Sequence, residues 1–409
     1  MTAAGPAASR LDEQRLARAA LTYLAEPGDP ALGALLEICD PGEVLAAIRA
    51  DLLPGIGPGC GDSPAGRAAL RRALGRWRAR LPALPADADI AAACSGGDVR
   101  LACPGDAEWP GRLDDLGAAR PYALWLRGGA DLRAASAGSV SVVGSRAATG
   151  YGAHVAGEIA ADLGERGWTV VSGGAYGIDA AAHRGALGAG AATVAVLACG
   201  VDYPYPAGHA ELFADVAARG VVASEWPPGR RPARLRFLVR NRVIAALSCG
   251  TVVVEAGARS GALNTARHAA ELGRPLMAVP GPVTSAQSAG CHRIIRDWGA
   301  TCVTCAADIV EMVSPLGGLD APASPAGPGP RSGPVCAPGR AAAGPSRDDL
   351  DADSARVLDA FPARGGTGTS TLAVEAGVDL DTVLRCLGTL AGYGFIERCD
   401  LGWRLRRTG

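Results

Sequence analysis

Residues 139–174 read SVSVVGSRAATGYGAHVAGEIAADLGERGWTVVSGG, and this stretch decides the fold. It begins and ends with short apolar runs rich in β-branched residues, and a segment with helical patterning separates them. Further apolar runs of this kind recur at 193–200, 221–225, 251–256 and 275–281. Near-continuous apolar strands that alternate with helices are typical of a parallel sheet covered on both faces. We therefore predict an α/β domain with a doubly wound parallel sheet over residues 137–315.

The rest of the chain divides into four further parts. Residues 1–90 contain short helical segments around a Gly/Pro-rich turn at 53–59, which is either a helix-hairpin-helix turn or, as we favour, a plain turn between helices. Residues 91–136 lead into the sheet. Residues 316–348 are too poor in large apolar side chains to pack, which indicates a flexible Pro/Gly/Ala linker. Residues 349–409 show three helices and a two-stranded ribbon, which predicts a winged helix.

The composition excludes several classes of function. All 40 basic residues are arginine, so the chain offers neither a Schiff-base lysine nor a Walker A lysine. PLP enzymes and ordinary P-loop NTPases are therefore excluded. The formal net charge is −1, which means that a nucleic-acid site must be a local patch and cannot rely on a global positive field.

Cysteine usage and hydropathy point to a reducing compartment. The twelve cysteines are scattered, the first residues contain no apolar signal segment, and no run of eighteen apolar residues occurs. We expect reduced thiols, no membrane span and a cytoplasmic location. Cys302 and Cys305 form a CxxC without a second pair at zinc spacing, so we predict no metal site and no cofactor.

Three stretches fall where open parallel sheets bind ligands, beyond the carboxyl ends of strands and near helix N-termini. In the first, Gly144-Ser145-Arg146, glycine permits close backbone approach, and amides, a hydroxyl and a guanidinium can hold a phosphate. The second is the glycine-rich turn at 172–179. It lacks GxGxxG spacing, and no acidic residue ends the next strand to hold a ribose hydroxyl, so NAD binding is not expected. Asp179 is predicted to cap its helix, with a ligand role as the alternative.

The third stretch, 229–242, carries six arginines and one phenylalanine without an acidic residue. A single-strand platform needs this combination, because guanidinium groups bind phosphates while a base stacks on the ring. A solvated basic surface is the alternative. Arg240 and Arg242 are expected to flank the site from the start of a buried helix. Glu255 could be catalytic, but we favour an interpretation in which it holds an arginine of the Arg-Asn-Arg segment 240–242.

Taken in order, these motifs resemble the DNA-processing protein A (DprA/Smf) family. The extended Rossmann domain of that family carries the motifs VGSR, VVSG..GIDA.AH..AL, TVAVL..G..YP, SE.PPG, F..RNR.IA.LS, VVVEA...SGAL.TA and AVPG, and all of them occur here between residues 143 and 281. The segment at 104–129 is similar to the family's lead-in to this domain. Many members also have a helical N-terminal domain of sterile-alpha-motif type and a C-terminal winged helix, so the resemblance covers nearly the whole chain.

The resemblance implies a non-catalytic protein that binds single-stranded DNA without strong sequence preference. Such a protein protects the strand and loads the RecA recombinase during natural transformation (competence) or homologous recombination. The resemblance also implies a homodimer formed through the Rossmann domain. The residues that it places against the DNA or at the border of the site are Gly144, Ser145, Arg146, Ser172, Gly173, Gly174, Tyr176, Arg236, Phe237, Arg240, Asn241, Arg242, Ser260 and Gly261.

The sequence departs from the family pattern at three places. Tyr176 stands where the family usually has arginine, which loses a charge and adds a ring. Arg236 and Leu238 replace a common asparagine and proline around the phenylalanine, and the usual Gly-Thr-Asn appears as Gly-Cys-His at 290–292. These substitutions concern affinity and contact geometry and leave the class of ligand unchanged.

Two alternatives stay open at this point. Nucleoside-monophosphate phosphoribohydrolases resemble the domain at its glycine-rich turns, but the sequence at 255–264 lacks their PGGxGTxxE segment. A partner-binding scaffold with weak DNA affinity is the second alternative, and the arginine density at 229–242 argues against a version that does not bind DNA. Within the winged helix, the third helix carries only one arginine, Arg385, so a protein-interaction role is favoured there over DNA reading.

Overall fold

The structure, a computed structural model, describes residues 6–52, 64–314, 352–362, 366–392, 395–399 and 402–405. The chain divides into two compact units, Met1–Pro325 and Ala326–Gly409. The predicted turn at 53–59 and the predicted linker at 316–348 lie outside the described residues. The predicted domain boundaries stay a prediction.

A nine-stranded sheet organises the described part of the first unit. Its strands in chain order are β1 (Val99–Ala102), β2 (Leu124–Arg127), β3 (Ser139–Val143), β4 (Thr169–Ser172), β5 (Thr193–Leu197), β6 (Val221–Ser224), β7 (Gly250–Val253), β8 (Leu276–Ala278) and β9 (Thr301–Cys302). Across the sheet they lie in the order β1-β2-β6-β5-β4-β3-β7-β8-β9. In this spatial order, every pair of neighbouring strands between β6 and β9 is parallel. The pairs β1-β2 and β2-β6 are antiparallel and form one edge of the sheet. The predicted doubly wound parallel sheet is therefore confirmed.

Helices cover both faces of this sheet. In chain order the helices of the unit are α1 (Pro6–Leu24), α2 (Pro30–Ile38), α3 (Pro41–Ala50), α4 (Pro64–Arg78), α5 (Asp87–Ser95), α6 (Leu132–Ala137), α7 (Gly150–Glu165), α8 (Ile178–Gly188), α9 (Ala210–Arg219), α10 (Arg234–Leu247), α11 (Ala262–Glu271), α12 (Ala289–Trp298) and α13 (Ala306–Val313). Successive side chains of a strand point to opposite faces. Accordingly, Val171 of β4 belongs to the buried cluster that includes residues of α10, α11 and α12, while Val170 belongs to the cluster that includes residues of α7, α8 and α13.

The N-terminal helices share a core with one end of the sheet. Leu21 of α1, Trp77 of α4 and Trp125 of β2 are all buried in this core. Helix α2 begins where Pro30 presets the first helical turn and the Asp29 carboxylate accepts hydrogen bonds from two free amides of that turn. This packing places the N-terminal helices beside the β1-β2-β6-β5 end of the sheet.

The described part of the second unit consists of three helices and a ribbon. Its elements are α14 (Ala352–Asp359), α15 (Thr369–Ala376), α16 (Leu380–Gly392), β10 (Ile396–Cys399) and β11 (Gly402–Leu405), with β10 and β11 antiparallel. Arg385 of α16 lies 3.4 Å from the Asp353 carboxylate, so the arginine that a DNA-reading helix would use has an acidic neighbour. The winged-helix assignment stays a prediction. Every helix in the described ranges is too short or too polar to cross a membrane.

His183 is a buried packing residue of α8 that remains neutral in the folded protein. Its Nδ1 lies 2.8 Å from the Thr193 hydroxyl, and that hydroxyl donates to the carbonyl of Val170. The ring proton therefore belongs on Nδ1. Nε2 is buried without a hydrogen-bond partner among the described residues. Burial, assisted by the positive charge of Arg240, lowers the pKa of His183 to about 3.

We expect the free energy of unfolding to fall as the pH drops below 6.5. In the unfolded chain the histidine takes up a proton near pH 6.5, whereas folded His183 stays neutral down to about pH 3. The stabilisation is therefore complete above pH 6.5 and declines by about 1.4 kcal/mol per pH unit below it. Urea denaturation between about pH 7 and pH 5 measures this slope. His183→Gln should show a shallower slope, and equal slopes for the two proteins would contradict the assignment.

Candidate nucleic-acid interface

An open cavity of about 840 Å³ lies beyond the carboxyl ends of β3 and β7. Its walls come from the turn after β3, the N-terminal turns of α8 and α10, and the loop before α11. This is the edge at which open parallel sheets bind ligands. The cavity therefore lies at the sheet edge where the sequence predicts a ligand site.

The cavity brings together one group of the predicted site residues. Those that line it are Gly144, Ser145, Arg146, Phe237, Arg240, Asn241, Ser260 and Gly261. Those that do not line it are Ser172, Gly173, Gly174, Tyr176, Arg236 and Arg242. The residues that line the cavity and those that do not differ in the contacts that their side chains make.

Phe237 is a partly exposed ring that contacts two other side chains. The Arg146 guanidinium carbon lies 4.8 Å from the centroid of the Phe237 ring, within cation–π range. On the same ring packs Tyr205, with centroids 5.7 Å apart and planes inclined by 50°. The three side chains together form an aromatic and cationic surface at the cavity wall.

The charge of the cavity lining favours an anion. Four arginines and one carboxylate line it, namely Arg146, Arg234, Arg240, Arg259 and Asp179. Helix α10 begins at this wall, and no described side chain caps its first turn. Free amides at a helix N-terminus carry partial positive charge and bind anions such as phosphate.

Arg240 lies deep in this cavity wall and is only 4% exposed. One of its Nη atoms donates to the carbonyl of Val196, and its Nε has no hydrogen-bond partner among the described residues. Burial lowers the pKa of Arg240 to about 10 against the opposing effect of Asp179, so the guanidinium is still charged at neutral pH. A Cβ on Gly173 would lie 2.1 Å from Arg240 Nη1. Glycine at this position therefore makes room for the arginine.

Asp179 stabilises the glycine-rich turn that precedes α8. Its carboxylate accepts hydrogen bonds from the amides of Gly173 and Ala175, at 3.2 and 3.4 Å. The N-cap of α8 is Gly177, whose φ of 79° suits glycine. The prediction that Asp179 caps its own helix is therefore wrong, because its carboxylate binds the turn. Burial raises its pKa despite the nearby Arg240 charge.

Arg242 is turned away from the cavity. Its guanidinium makes two hydrogen bonds of 2.6 Å to the Glu225 carboxylate, and its Nε donates to the carbonyl of Ala119. The two side chains are 7% and 3% exposed. Arg242 thus joins α10 to the end of β6. The prediction that it flanks the site is wrong, because the guanidinium binds Glu225, a partner that no sequence pattern identified.

Glu255 does not bind an arginine. Its two carboxylate oxygens accept hydrogen bonds from the amide and the hydroxyl of Thr149, at 2.9 and 2.6 Å, next to the N-terminus of α7. A Cβ on Gly152 would lie 2.2 Å from Glu255 Oε2. The prediction that Glu255 holds an arginine of segment 240–242 is therefore wrong, because Thr149 occupies the carboxylate.

Arg236 faces the N-terminal helices. It donates two hydrogen bonds to the Glu26 carboxylate, at 2.8 and 3.1 Å, and its guanidinium lies 5.7 Å from the Trp226 ring centroid. Trp226 Nε1 donates to the same carboxylate. These contacts hold the start of α10, and with it Phe237, against the N-terminal part of the chain.

The remaining predicted residues support the turn or lie on its surface. The Ser172 hydroxyl is buried and donates to the carbonyl of Val142. A Cβ on Gly174 would meet the Phe213 ring at 2.4 Å. Tyr176 is exposed, and its ring packs edge-on against His209 with centroids 4.5 Å apart.

Sequence reasoning missed several residues of the cavity. Arg259 and Gln287 line it from the loops after β7 and β8, and Tyr205 lines it from the loop after β5. The position of Tyr205, just beyond a predicted strand at the same sheet edge, was a signal that could have identified it. Groups of three or more metal-ligating side chains do not occur in the described ranges.

Comparisons with known proteins identify the family of this chain. Residues 100–314 match the family model for DNA recombination-mediator protein A. A Mycobacterium tuberculosis protein that carries the DprA name is 43% identical over 409 residues, covering 98% of this chain and 96% of that protein. The DNA processing protein DprA of Streptococcus pneumoniae is 40% identical over 190 residues, covering 46% of this chain and 66% of that protein.

A solved structure of DprA from Streptococcus pneumoniae is also similar to this chain. It matches with a TM-score of 0.57 and 29% identity, covering 74% of this chain and 98% of that one. The 74% of this chain that the match covers is longer than the part that forms the parallel strands and their helices. The order of motifs, the family model and the near-full-length relative all agree, and the chain therefore belongs to the DNA recombination-mediator protein A (DprA/Smf) family.

Proposed function

We propose that this chain binds single-stranded DNA in the cavity at the carboxyl edge of its sheet. Membership of the family gives the chain a DNA-processing role. The proposal rests on the position of Phe237. Its partly exposed ring lies next to the Arg146 guanidinium, in a cavity lined by four arginines. A ring beside guanidinium groups can stack a base while its neighbours bind phosphates.

The ligand should be a single strand rather than a duplex. A base can stack on Phe237 only when it is free of its own neighbours, and bases of a duplex are not. Every base has a π-face, so stacking of this kind selects no sequence. The arginines that would bind successive phosphates are Arg146, Arg234 and Arg259, with Arg240 at the bottom of the site.

The proposed contact residues form two walls joined by a hydrogen bond. Asn241 Nδ2 of α10 lies 3.3 Å from the carbonyl of Gly261, in the loop before α11. The residues that we propose to contact DNA are Gly144, Ser145, Arg146, Arg234, Phe237, Arg240, Asn241, Arg259, Ser260 and Gly261. For Arg236 and Arg242 we propose a positioning role, because each is bound to a carboxylate.

We propose binding without catalysis. The alternative, a phosphoribohydrolase-like enzyme, would need a free carboxylate at the cavity. Glu255 is bound to Thr149, and Asp179, the carboxylate of the lining, is bound to the amides of Gly173 and Ala175. By family resemblance we further propose a cytoplasmic homodimer formed through the Rossmann domain. It would protect the strand and load RecA during transformation or recombination.

The test is fluorescence anisotropy of a labelled oligo-dT titrated with protein over a series of salt concentrations. We expect binding that weakens with salt, because binding to phosphates releases counterions. Arg146→Ala should reduce the slope of log K against log salt by about 0.7, the value for one lost phosphate contact on a single strand. A blunt duplex of the same length should bind more weakly than the single strand.

Arg296 provides the matched control, because it is an exposed arginine of α12 outside the cavity lining. Arg296→Ala should leave the salt slope unchanged. Absence of oligo-dT binding at low salt would refute the proposed function. An equal loss of slope in Arg146→Ala and Arg296→Ala would show that the charge acts without a defined site.

A further inference from the structure

Tyr205 is the more exposed of the two aromatic side chains in the cavity lining. It lies in the loop after β5, at the same sheet edge as the other walls, and is 42% exposed. Phe237 is only partly exposed. Tyr205 therefore exposes the larger fraction of its surface.

The surroundings of Phe237 limit what it can stack. The Arg146 guanidinium lies 4.8 Å from its centroid, and the Tyr205 ring packs against it at 5.7 Å. A base that stacks on Phe237 must share the ring with these two neighbours. Phe237 alone therefore offers room for at most one base.

The inclination of the two rings decides how bases can meet them. Stacked bases are parallel and about 3.4 Å apart along a strand. Planes inclined by 50° cannot both lie against one such stack. Each ring would instead take its own base from a strand whose bases are splayed apart, which is how unpaired nucleotides are commonly bound.

We propose that Tyr205 is a second base-stacking surface, so that the cavity takes two bases of one strand, one on Phe237 and one on Tyr205. This inference rests on the proposed function and adds a residue to it. A tyrosine suits a half-exposed position, because its ring is apolar and its hydroxyl stays in water. The cavity volume of about 840 Å³ lies in the upper part of the usual range for ligand pockets, about 300–1,000 Å³.

The experiment compares Tyr205→Leu with the wild type in oligo-dT binding. Leucine keeps an apolar contact with Phe237 and removes the π-surface. We expect Tyr205→Leu to lower the affinity about tenfold, and Tyr205→Phe to retain it. Tyr203→Leu is the matched control, since Tyr203 lies in the same loop, is 37% exposed and does not line the cavity.

An abasic strand separates stacking from other causes. An oligonucleotide with the same phosphates and no bases should bind Tyr205→Leu as well as it binds the wild type, which would also show that the variant is folded. A loss for Tyr205→Leu that persists on the abasic strand would overturn the proposal.

Comparison with the Phe237 variant separates the second surface from the function itself. Equal affinities of Tyr205→Leu and Tyr203→Leu for oligo-dT, with Phe237→Ala weakened, would overturn the second surface and leave the proposed function standing. A wild type that does not bind oligo-dT at all would overturn both.

Discussion

Arg242→Ala is expected to lower the free energy of unfolding by about 3–5 kcal/mol, the usual cost of removing one partner of a buried ion pair. The variant leaves the Glu225 carboxylate, which is 3% exposed, without its two hydrogen bonds from the guanidinium. The variant also frees the carbonyl of Ala119, which Arg242 Nε now binds. The loss is large because the buried Glu225 carboxylate cannot regain water where it lies.

Urea denaturation of the two proteins measures this difference. Arg267→Ala is the control, because Arg267 also pairs with a glutamate, Glu271, but both side chains are exposed. That variant should change stability by less than about 1 kcal/mol. Equal losses for Arg242→Ala and Arg267→Ala would contradict the structural role that we assign to Arg242.

Phe237→Ala is expected to weaken binding of oligo-dT by about 1–3 kcal/mol, the range for one stacked base. The substitution removes the ring on which Arg146 also lies, so part of the loss comes from a less ordered guanidinium. Because no phosphate contact is deleted outright, the salt slope should change less than it does in Arg146→Ala. Anisotropy titrations of both variants at several salt concentrations measure the two effects separately.

Leu235 supplies the control for this prediction. It lies on the same helix, is 73% exposed and does not line the cavity. Leu235→Ala should bind oligo-dT like the wild type. If Leu235→Ala and Phe237→Ala lost the same affinity, the helix surface as a whole would be responsible and Phe237 would have no special role.

The local pattern of apolar residues predicted much of the fold. The apolar runs at 139–144, 193–200 and 251–256 each became a parallel strand, because a strand buried on both faces needs apolar side chains at nearly every position. The antiparallel edge of β1 and β2 was not predicted. Whether a strand is parallel or antiparallel depends on which strands become its neighbours. The local periodicity of apolar residues contains no information about those neighbours.

The candidate site was likewise predictable from the sequence only in part. Its place at the carboxyl edge follows from the alternation of strands and helices. Arg146, Phe237 and Arg240 follow from their positions in the motifs, and the structure brings all three to one cavity.

The sequence by itself thus determined the parallel strands, the sheet edge at which the cavity lies and the residue types gathered there. Tertiary structure alone decided which arginines reach the cavity. Arg236 and Arg242 belong to the same basic stretch as Arg240, yet they bind Glu26 and Glu225. The reason is physical: a helix turns successive side chains in different directions, and a buried charge must find its partner among groups distant in sequence.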